Sequence, residues 1–448
     1  MQTVISFVLL ISVLVFIHEL GHFIFAKRAG ILVREFAIGF GPKLISWFRG
    51  ETQYSVRILP LGGYVRMAGE DPEIAELKTG SQLVLDRDSD GRVIRIRAPK
   101  SASSGNASSM DEVAREYGEV DDFAGSDLPA HLPPAVDAVS GKMLEADLED
   151  KLFILIEDEE GNEVKYRLHP QAVIQYDEKN IVQIAPLDRQ FSSKGVLDRG
   201  LTILAGPVFN LLLTVILMAV LTLVIGLETK VSIQNVLPNS PAQEAGIQPG
   251  DVVREVEGKQ VNSLNDIRIP LQDAQGGPVD MVVERANQQY QTTITPEKKN
   301  DVYMIGIEMK QELRDATISE AVVNGFTQTY DLGVVMVRGI SQLITGQVGL
   351  ENLAGPVGIA DITGEAAEAG WIPLVRLAAL LSLNLGILNI LPFPALDGGR
   401  LVFIVLEAFR GKPVDPSKES LVHFVGFALL MMLMLFITYN DILRVFFR

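Results

Sequence analysis

The sequence predicts a polytopic α-helical membrane protein with four membrane-spanning helices, a membrane-associated β-hairpin and one compact β-rich domain outside the membrane. Hydrophobic residues make up 48% of the 448-residue chain although 21% of its residues are charged, which indicates apolar spans joined to polar domains. Four apolar runs reach the roughly 20 residues that a helix needs to cross a bilayer. They cover residues 4–26, 201–227, 372–396 and 421–447.

The composition excludes several classes of function. The formal net charge of −17 argues against nucleic acid as a partner, because binding to phosphates needs basic patches. Cysteine is absent, so any metal site must use histidine and carboxylate ligands. The first apolar run has no basic residue before it and no small-residue cleavage site after it, so we expect it to remain as a span.

The first run carries the motif H-E-L-G-H, and His18, Glu19 and His22 are its only charged or histidine side chains. Histidines four residues apart face the same side of a helix, so both imidazoles can bind one metal ion with the glutamate beside it. Ionisable groups in an apolar span cost about 2.5–3.5 kcal/mol each on insertion scales, which favours a functional motif over a chance one. The sequence therefore predicts a zinc site buried in the membrane.

The residues after the first run alternate between polar and apolar side chains over 34–41 and 54–65, which is typical of hairpin strands. Their glycines allow close backbone approach or a bulge. We expect an edge of this hairpin to hold an extended substrate peptide by β-augmentation, with a plain cytoplasmic hairpin as the alternative. The candidate substrate-binding residues are Gly39, Phe40, Gly62 and Gly63.

Basic residues set the expected orientation in the membrane. They gather after the first span and between the third and fourth spans, and cytoplasmic loops carry such an excess of positive charge. Loops 27–198 and 400–420 are therefore expected in the cytoplasm, and residues 228–370 on the other side of the membrane.

Within the first cytoplasmic loop, residues 71–198 predict an acidic, β-rich insertion. Residues 98–141 have few large apolar side chains, and we expect them to be a flexible excursion that contributes little to any core. His131 and His169 lie in this polar region, and we interpret both as surface residues and not as metal ligands.

The second span begins with A-G-P-V-F-N. Its small residues suit close packing of helices, and Asn210 can hydrogen-bond a neighbouring helix. We interpret this segment as a packing element and not as a catalytic one.

Residues 228–312 resemble a PDZ domain, because the stretch A-G-I-Q-P-G-D is followed by a strand and a glycine turn. The resemblance implies an extracytoplasmic PDZ domain with a groove for extended peptides, lined near Ile305, Gly306 and Ile307. Two roles of this domain remain open: it binds a peptide ligand, or it restricts the access of substrates by their size. Residues 313–370 predict amphipathic helices at the outer membrane face and a loop that gates the third span, with a plain connector as the alternative.

The residue directly after the third run is the candidate third metal ligand. A catalytic zinc uses three protein ligands and keeps one position open, and Asp397 is the best third ligand, with His423 as a competitor. Pro392 and Pro394 interrupt the helix just before Asp397, which a membrane tolerates only inside protein or beside water. A site that hydrolyses peptide bonds must lie in such a position, inside protein or beside water.

Together the motifs resemble those of the site-2 protease family of intramembrane zinc metalloproteases, in its bacterial RseP/RasP-like branch. In chain order they are H-E-L-G-H, G-F-G, L-P-L-G-G-Y-V, A-G-P-x-x-N, the PDZ domain and N-x-L-P-x-P-x-L-D-G-G. The implied Zn²⁺ ligands are His18, His22 and Asp397. The resemblance also implies that Glu19 is the general base and that Asn389 and Asn384 hold the substrate backbone near the metal.

The resemblance implies hydrolysis of peptide bonds within the membrane segments of single-span proteins, in the bacterial cytoplasmic membrane. Expected substrates are anti-sigma factors and remnant signal peptides, in regulated intramembrane proteolysis that serves a stress response. A non-proteolytic membrane scaffold, with a PDZ domain that recruits partners and a vestigial metal site, is the alternative. A metal transporter ranks last, because it predicts carboxylates or histidines in several spans.

Overall fold

The computed structural model describes residues 2–70, 77–98, 132–158, 160–177, 180–299, 302–349 and 353–446. The chain forms two compact units, the first made of Met1–Thr214 with Gly333–Arg448 and the second of Val215–Leu332. In the described residues, four helices are long and apolar enough to cross a membrane, as the sequence predicts. They are Thr3–Arg28, Val196–Ile225, Trp371–Ile390 and Lys418–Arg444.

The helices of the first unit, numbered in chain order over the whole protein, come from both ends of the chain. They are α1 (Gln2–Arg28), the first part of α2 (Val196–Ile225), the last part of α5 (Ile318–Ile344), α6 (Pro356–Ala369), α7 (Trp371–Ile390), α8 (Asp397–Arg410) and α9 (Pro416–Phe446). The predicted single span over 372–396 is wrong in its last part, because α7 ends at Ile390. Pro392 has no N–H to donate and disfavours helical backbone at Leu391, which has φ −59° and ψ 140°.

The predicted hairpin is present as β1 (Val33–Arg49) and β2 (Thr52–Met67). Both strands bend back, so residues 35–38 pair with residues 53–56 on one side and with residues 63–66 on the other. The two long strands therefore build a sheet with four rows of backbone.

This doubling back decides which edges of the sheet are open. Residues 35–38 lie inside the sheet, so this part of the stretch 34–41 does not supply the open edge that we expect in the hairpin. Residues 53–56 are also closed on both sides, because residues 45–48 pair with them. Within the described residues, the outer rows are therefore 45–48 and 63–66.

The residues predicted as a β-rich insertion form six strands around one apolar core. They are β3 (Gln82–Arg87), β4 (Val93–Arg97), β5 (Asp137–Asp147), β6 (Phe153–Glu157), β7 (Glu163–Asp177) and β8 (Asn180–Gln183). The strand order is β4-β3-β5-β6-β7-β8, and β4 also pairs with β7, which closes the sheet on itself. The end of the stretch predicted to be flexible is ordered in β5, while residues 99–131, including His131, lie outside the described residues.

The second unit is rich in β structure, as the sequence predicts. Its elements are β9 (Leu227–Val236), α3 (Pro241–Glu244), β10 (Val252–Val256), β11 (Lys259–Gln260), α4 (Asn265–Asp273), β12 (Val279–Arg285), β13 (Gln288–Ile294), β14 (Glu297–Lys299), β15 (Val302–Met304) and β16 (Ile307–Arg314). The main sheet has the order β13-β12-β10-β9-β16 around a core that includes Val231, Ile267 and Met281.

The predicted groove strand through Ile305, Gly306 and Ile307 is not continuous. Strand β15 ends at Met304 and β16 begins at Ile307, with Ile305 buried in the core and Gly306 at φ +77° between them. The carbonyl of Ile305 accepts a hydrogen bond from the N–H of Ala242 at 2.9 Å. Of the three predicted groove residues, only Ile307 therefore lies in a strand.

The residues predicted as amphipathic helices form α5 (Ile318–Ile344), which runs from the second unit into the first, and α6. Asp441 of α9 is buried, and its Oδ2 accepts hydrogen bonds from the N–H groups of Gly355 and Gly358, both at 2.8 Å. A helix leaves such first-turn N–H groups without internal partners. Asp441 therefore fixes the start of α6 to α9.

Candidate metal centre

Three side chains that the sequence singles out converge inside the first unit. His18 and His22 come from α1 and Asp397 from the first turn of α8. Asp397 Oδ2 lies 3.1 Å from His18 Nε2 and 3.4 Å from His22 Nε2, and the two nitrogens are 3.3 Å apart. In the described part of the chain no other group of three such ligands lies this close together.

Glycines explain how α2 comes so close to the two histidines. A Cβ atom at Gly21 of α1 would lie 2.4 Å from the carbonyl oxygen of Ala205. A Cβ atom at Gly206 of α2 would lie 2.2 Å from His22 Nε2, the atom that faces Asp397. The A-G-P segment is therefore a packing element, and what it packs against is the metal centre.

A tight turn places Asp397. Ala395 has φ +75°, and its N–H donates to His423 Nδ1 at 2.9 Å. A Cβ atom at Gly398 would lie 2.2 Å from the carbonyl oxygen of Leu391, so the D-G-G sequence lets α8 begin directly against the end of α7. His423, the competing ligand, holds this turn and is not one of the three converging side chains.

Each histidine has a second contact on α2. His22 Nδ1 lies 2.9 Å from the carbonyl oxygen of Thr202, which can only accept, so Nδ1 carries the proton and Nε2 keeps its lone pair. His18 Nδ1 lies 3.0 Å from the side-chain amide of Asn210. Such outer contacts orient histidine ligands and fix their tautomers.

The three side chains fit a zinc ion. Two imidazoles and one carboxylate are a set of ligands found in catalytic zinc sites. Ligand atoms about 2.0–2.1 Å from a tetrahedral ion lie about 3.3–3.4 Å from one another, close to the separations of 3.1–3.4 Å between these three atoms. Asp397 Oδ2 is buried without a hydrogen bond, which a cation between the three atoms would explain.

Glu19 lies beside the hairpin sheet as well as beside the histidines. Its side chain is 9% exposed. A Cβ atom at Gly63 would lie 3.0 Å from Glu19 Cγ, so the outer row 63–66 comes next to the Glu19 side chain at Gly63. Gly63 is a predicted substrate-binding residue of the hairpin, and the structure brings it to Glu19.

The other predicted substrate-binding residues have different surroundings. Gly62 and Phe40 are near each other, since a Cβ atom at Gly62 would lie 2.4 Å from Phe40 Cε2. Gly39 forms a bend of β1 at φ +88°. Asn384 and Asn389 are half-buried on α7, and five residues along a helix turn through about 140° from the same face, so the two amides point in different directions.

Sequence reasoning missed a buried carboxylate, Glu35, that ties the rows of the hairpin sheet together. Its carboxylate accepts hydrogen bonds from Ser55 Oγ at 2.6 Å, Arg57 Nη2 at 2.8 Å and the Tyr64 hydroxyl at 2.9 Å. Burial raises the pKa of Glu35, but these hydrogen bonds outweigh it and leave the pKa below its ordinary value. The sequence did contain a signal for this role, because Glu35 is an acidic residue within a predicted strand.

Comparison with known proteins gives one family and close relatives. Residues 6–433 match the family model described as peptidase family M50. "Zinc metalloprotease RasP" of Geobacillus kaustophilus is 40% identical over 451 residues, covering 100% of this chain and 99% of the relative. "Regulator of sigma-W protease RasP" of Bacillus subtilis is 38% identical over 448 residues, covering 99% of each chain. "Probable protease eep" of Enterococcus faecalis is 37% identical over 460 residues, covering both chains completely.

Among solved structures, the PDZ domain of an SdrC-like protein from Listeria monocytogenes is similar to part of the chain. The match covers 18% of this chain and 85% of that domain, with 21% identity and a TM-score of 0.17.

Proposed function

The chain belongs to peptidase family M50 and is an intramembrane zinc metalloprotease of the site-2 type, and we propose that four residues carry out its reaction. His18, His22 and Asp397 hold the zinc ion, and Glu19 is the general base. The observation that carries this assignment is the convergence of two imidazole nitrogens and one carboxylate oxygen within 4.8 Å of one another. His18 directly precedes Glu19 and His22 follows it by three residues, all on one helix that is long enough to cross a membrane.

The chemistry follows from the positions of these side chains. Zinc, when bound, supplies Lewis acidity toward a peptide carbonyl and toward water. The Glu19 carboxylate accepts a proton from water as the water oxygen bonds to the carbonyl carbon. Glu19 then gives this proton to the amide nitrogen as the C–N bond breaks, so the products are an amine and a carboxylic acid, which gives up its remaining proton to become a carboxylate.

The substrate peptide lies along the outer row 63–66 of the hairpin sheet in this proposal. A helical membrane segment hides its carbonyls in internal hydrogen bonds, so it must unwind before hydrolysis. An open strand edge offers replacement hydrogen bonds and keeps the peptide extended. Gly63 brings this edge next to Glu19, which supports it over the other outer row, 45–48.

The natural substrates in this proposal are single-span membrane proteins, with anti-sigma factors foremost. The name of the Bacillus subtilis relative, a regulator of sigma-W protease, supports that class for this chain. Remnant signal peptides are a second class, and both would be cleaved in the bacterial cytoplasmic membrane.

The proposed topology keeps loops 27–198 and 400–420 in the cytoplasm and residues 228–312, as a PDZ domain, outside. The basic residues of the two loops support this orientation. The non-proteolytic scaffold is not favoured, because the relatives are named as proteases and the ligand set with its neighbouring glutamate is complete.

Zinc content and cleavage of purified full-length protein in detergent test this proposal. Wild type and Glu19→Gln should both bind about one zinc per chain, because Glu19 is not a ligand. Only wild type should cleave a tagged single-span substrate. If both proteins bind zinc but neither cleaves any of several single-span substrates that lack their domain outside the membrane, the non-proteolytic scaffold becomes the better assignment.

A further inference from the structure

The side chain of Asn210 makes an unusual contact with the metal centre. Asn210 is fully buried on α2, and its Nδ2 lies 3.0 Å from His18 Nδ1. Its Oδ1 is buried without a hydrogen-bond partner among the described residues. A buried acceptor left without a donor costs about 1–3 kcal/mol, so this arrangement needs an explanation.

The same arrangement would put the imidazole proton in the wrong place. An amide NH₂ group can only donate, so His18 Nδ1 would have to accept and the ring proton would sit on Nε2. His18 Nε2 is the atom that faces His22 Nε2 and Asp397 Oδ2. A protonated Nε2 has no lone pair for a metal ion, so this tautomer conflicts with the proposed zinc site.

A rotation of the amide by half a turn removes both problems, because oxygen and nitrogen of an amide have almost the same shape. Oδ1 then accepts the proton of His18 Nδ1, and the buried oxygen has a donor. We propose that Asn210 is a positioning residue of the metal centre, whose Oδ1 holds His18 in the tautomer that presents its Nε2 lone pair. This inference rests on the proposed function.

The arrangement at His22 supports this assignment. There the carbonyl oxygen of Thr202 accepts the Nδ1 proton at 2.9 Å and leaves Nε2 toward Asp397. One helix, α2, then supplies both acceptors, a backbone carbonyl for His22 and a side-chain amide for His18. Both histidines of α1 would then donate their Nδ1 proton to an acceptor on α2, which fixes the same tautomer in each.

Packing alone does not require the amide. The backbone carbonyl of Asn210 already accepts hydrogen bonds from Thr214 Oγ1 at 3.0 Å and from Ser382 Oγ of α7 at 2.8 Å. Thr214 Oγ1 also lies 3.3 Å from the carbonyl oxygen of Ala379, which ties α2 to α7. The helix is thus anchored without the Asn210 side chain, whose contact is with His18.

Zinc affinity of the full-length protein, measured by competition with a chromophoric chelator, tests the inference without using activity. Asn210→Leu removes the acceptor at similar volume and should weaken zinc binding about 10- to 100-fold. Asn210→Asp keeps an acceptor and should stay within about 3-fold of wild type. Thr214→Val is the matched control, because it removes an equally buried hydrogen bond of α2 that does not touch His18.

The outcomes distinguish a failure of the proposed zinc site from a failure of the role assigned to Asn210. Failure of wild type to bind zinc would overturn the proposed metal centre itself. Wild-type binding with an unchanged affinity in Asn210→Leu, or with Asn210→Asp as weak as Asn210→Leu, would overturn the role of Asn210 alone.

A second measurement avoids variants of Asn210 in case they do not fold. In zinc-free wild type labelled with ¹⁵N-histidine, the nitrogen shifts of His18, assigned by comparison with His18→Phe, report which ring nitrogen carries the proton. The inference expects the proton on Nδ1. A proton on Nε2 would overturn it.

Discussion

In the β3–β8 insertion, aliphatic side chains such as Ile96, Ile154 and Ile174 fill one continuous core. At the metal centre, glycines bring the backbone of one helix against the backbone and ligands of the next. A core of side chains can adjust to a changed neighbour by repacking, whereas a contact with backbone or with a metal-facing imidazole can relax only if that group leaves its place. The two regions should therefore respond to substitution in different ways: the insertion in stability, and the metal centre in function.

Gly206→Ala should give the largest effect. The new Cβ atom would lie 2.2 Å from His22 Nε2, so the imidazole must leave its place facing Asp397. We expect zinc content to fall to near zero and cleavage to become undetectable. Gly200→Ala on the same helix is the control, because its Cβ atom would have Leu401 Cδ1 as its nearest neighbour at 3.9 Å. A normal zinc content in Gly206→Ala would show that the contact can relax.

Gly63→Ala should separate substrate positioning from metal binding. Its Cβ atom would lie 2.8 Å from the carbonyl oxygen of Ala37 and 3.0 Å from Glu19 Cγ, so the outer row of the sheet must shift away from Glu19. We expect cleavage to fall about 100-fold, since a misplacement of about 1 Å has such an effect. Zinc content should match wild type, and a parallel loss of zinc would contradict this separation.

Ile154→Ala should act on stability and leave the metal centre intact. Ile154 is fully buried in the insertion, and loss of such a side chain costs about 2–5 kcal/mol of unfolding free energy. Ile154→Val should cost about 0.5–1.5 kcal/mol. Denaturant unfolding of the full chain measures both changes, and zinc content below the unfolding transition should not change. Lost zinc in the folded variant would mean that the two regions are not independent.

Glu51→Gln should give the smallest effect, and only under acidic conditions. Glu51 binds Lys27 at the end of α1 and Arg189 after the insertion, at 2.7–2.8 Å. Burial raises the pKa of Glu51, but the hydrogen bonds from Arg189 and Lys27 outweigh it and lower the pKa from 4.5 to about 2. A carboxyl with a lowered pKa stabilises the folded state above its ordinary pKa, and this contribution is lost as the pH falls toward the folded value.

The thermal midpoint of wild type should therefore drop more steeply than that of Glu51→Gln from about pH 5 to about pH 3. The exposed Glu149→Gln serves as the control and should follow wild type. Equal slopes for wild type and Glu51→Gln would show that the ion pairs around Glu51 contribute nothing measurable to folding.

The sequence predicted the parts of this protein that depend on local pattern. Spacing four residues apart placed His18 and His22 on one face of a helix, and the apolar runs predicted the four spans. The doubling back of β1 and β2 was not predictable, because alternation shows that a strand exists and not how many partners it has. The end of α7 at Ile390 could have been predicted from the sequence, because Pro392 was recognised as a helix interruption. It was nevertheless placed inside one long span.

The residues around the ligands were harder to predict because they depend on contacts between distant segments. Gly206 and Asn210 were recognised as suited to helix packing, but nothing in their own segment shows that the neighbouring helix is α1. The carbonyl of Thr202 has no sequence signal at all, since every residue carries one. Glu35 was visible as an acidic residue in a strand, but its three hydrogen-bond partners come from the other strand of the hairpin.

The three proposed zinc ligands are synthesised at very different times. His18 and His22 are made almost at once, whereas Asp397 follows only after the insertion, the second span, the second unit and the third span. At synthesis rates of about 5–20 residues per second, tens of seconds pass between the first ligands and the last. During that time the nascent chain has two of the three proposed zinc ligands, so the proposed site can form only after Asp397 has been synthesised.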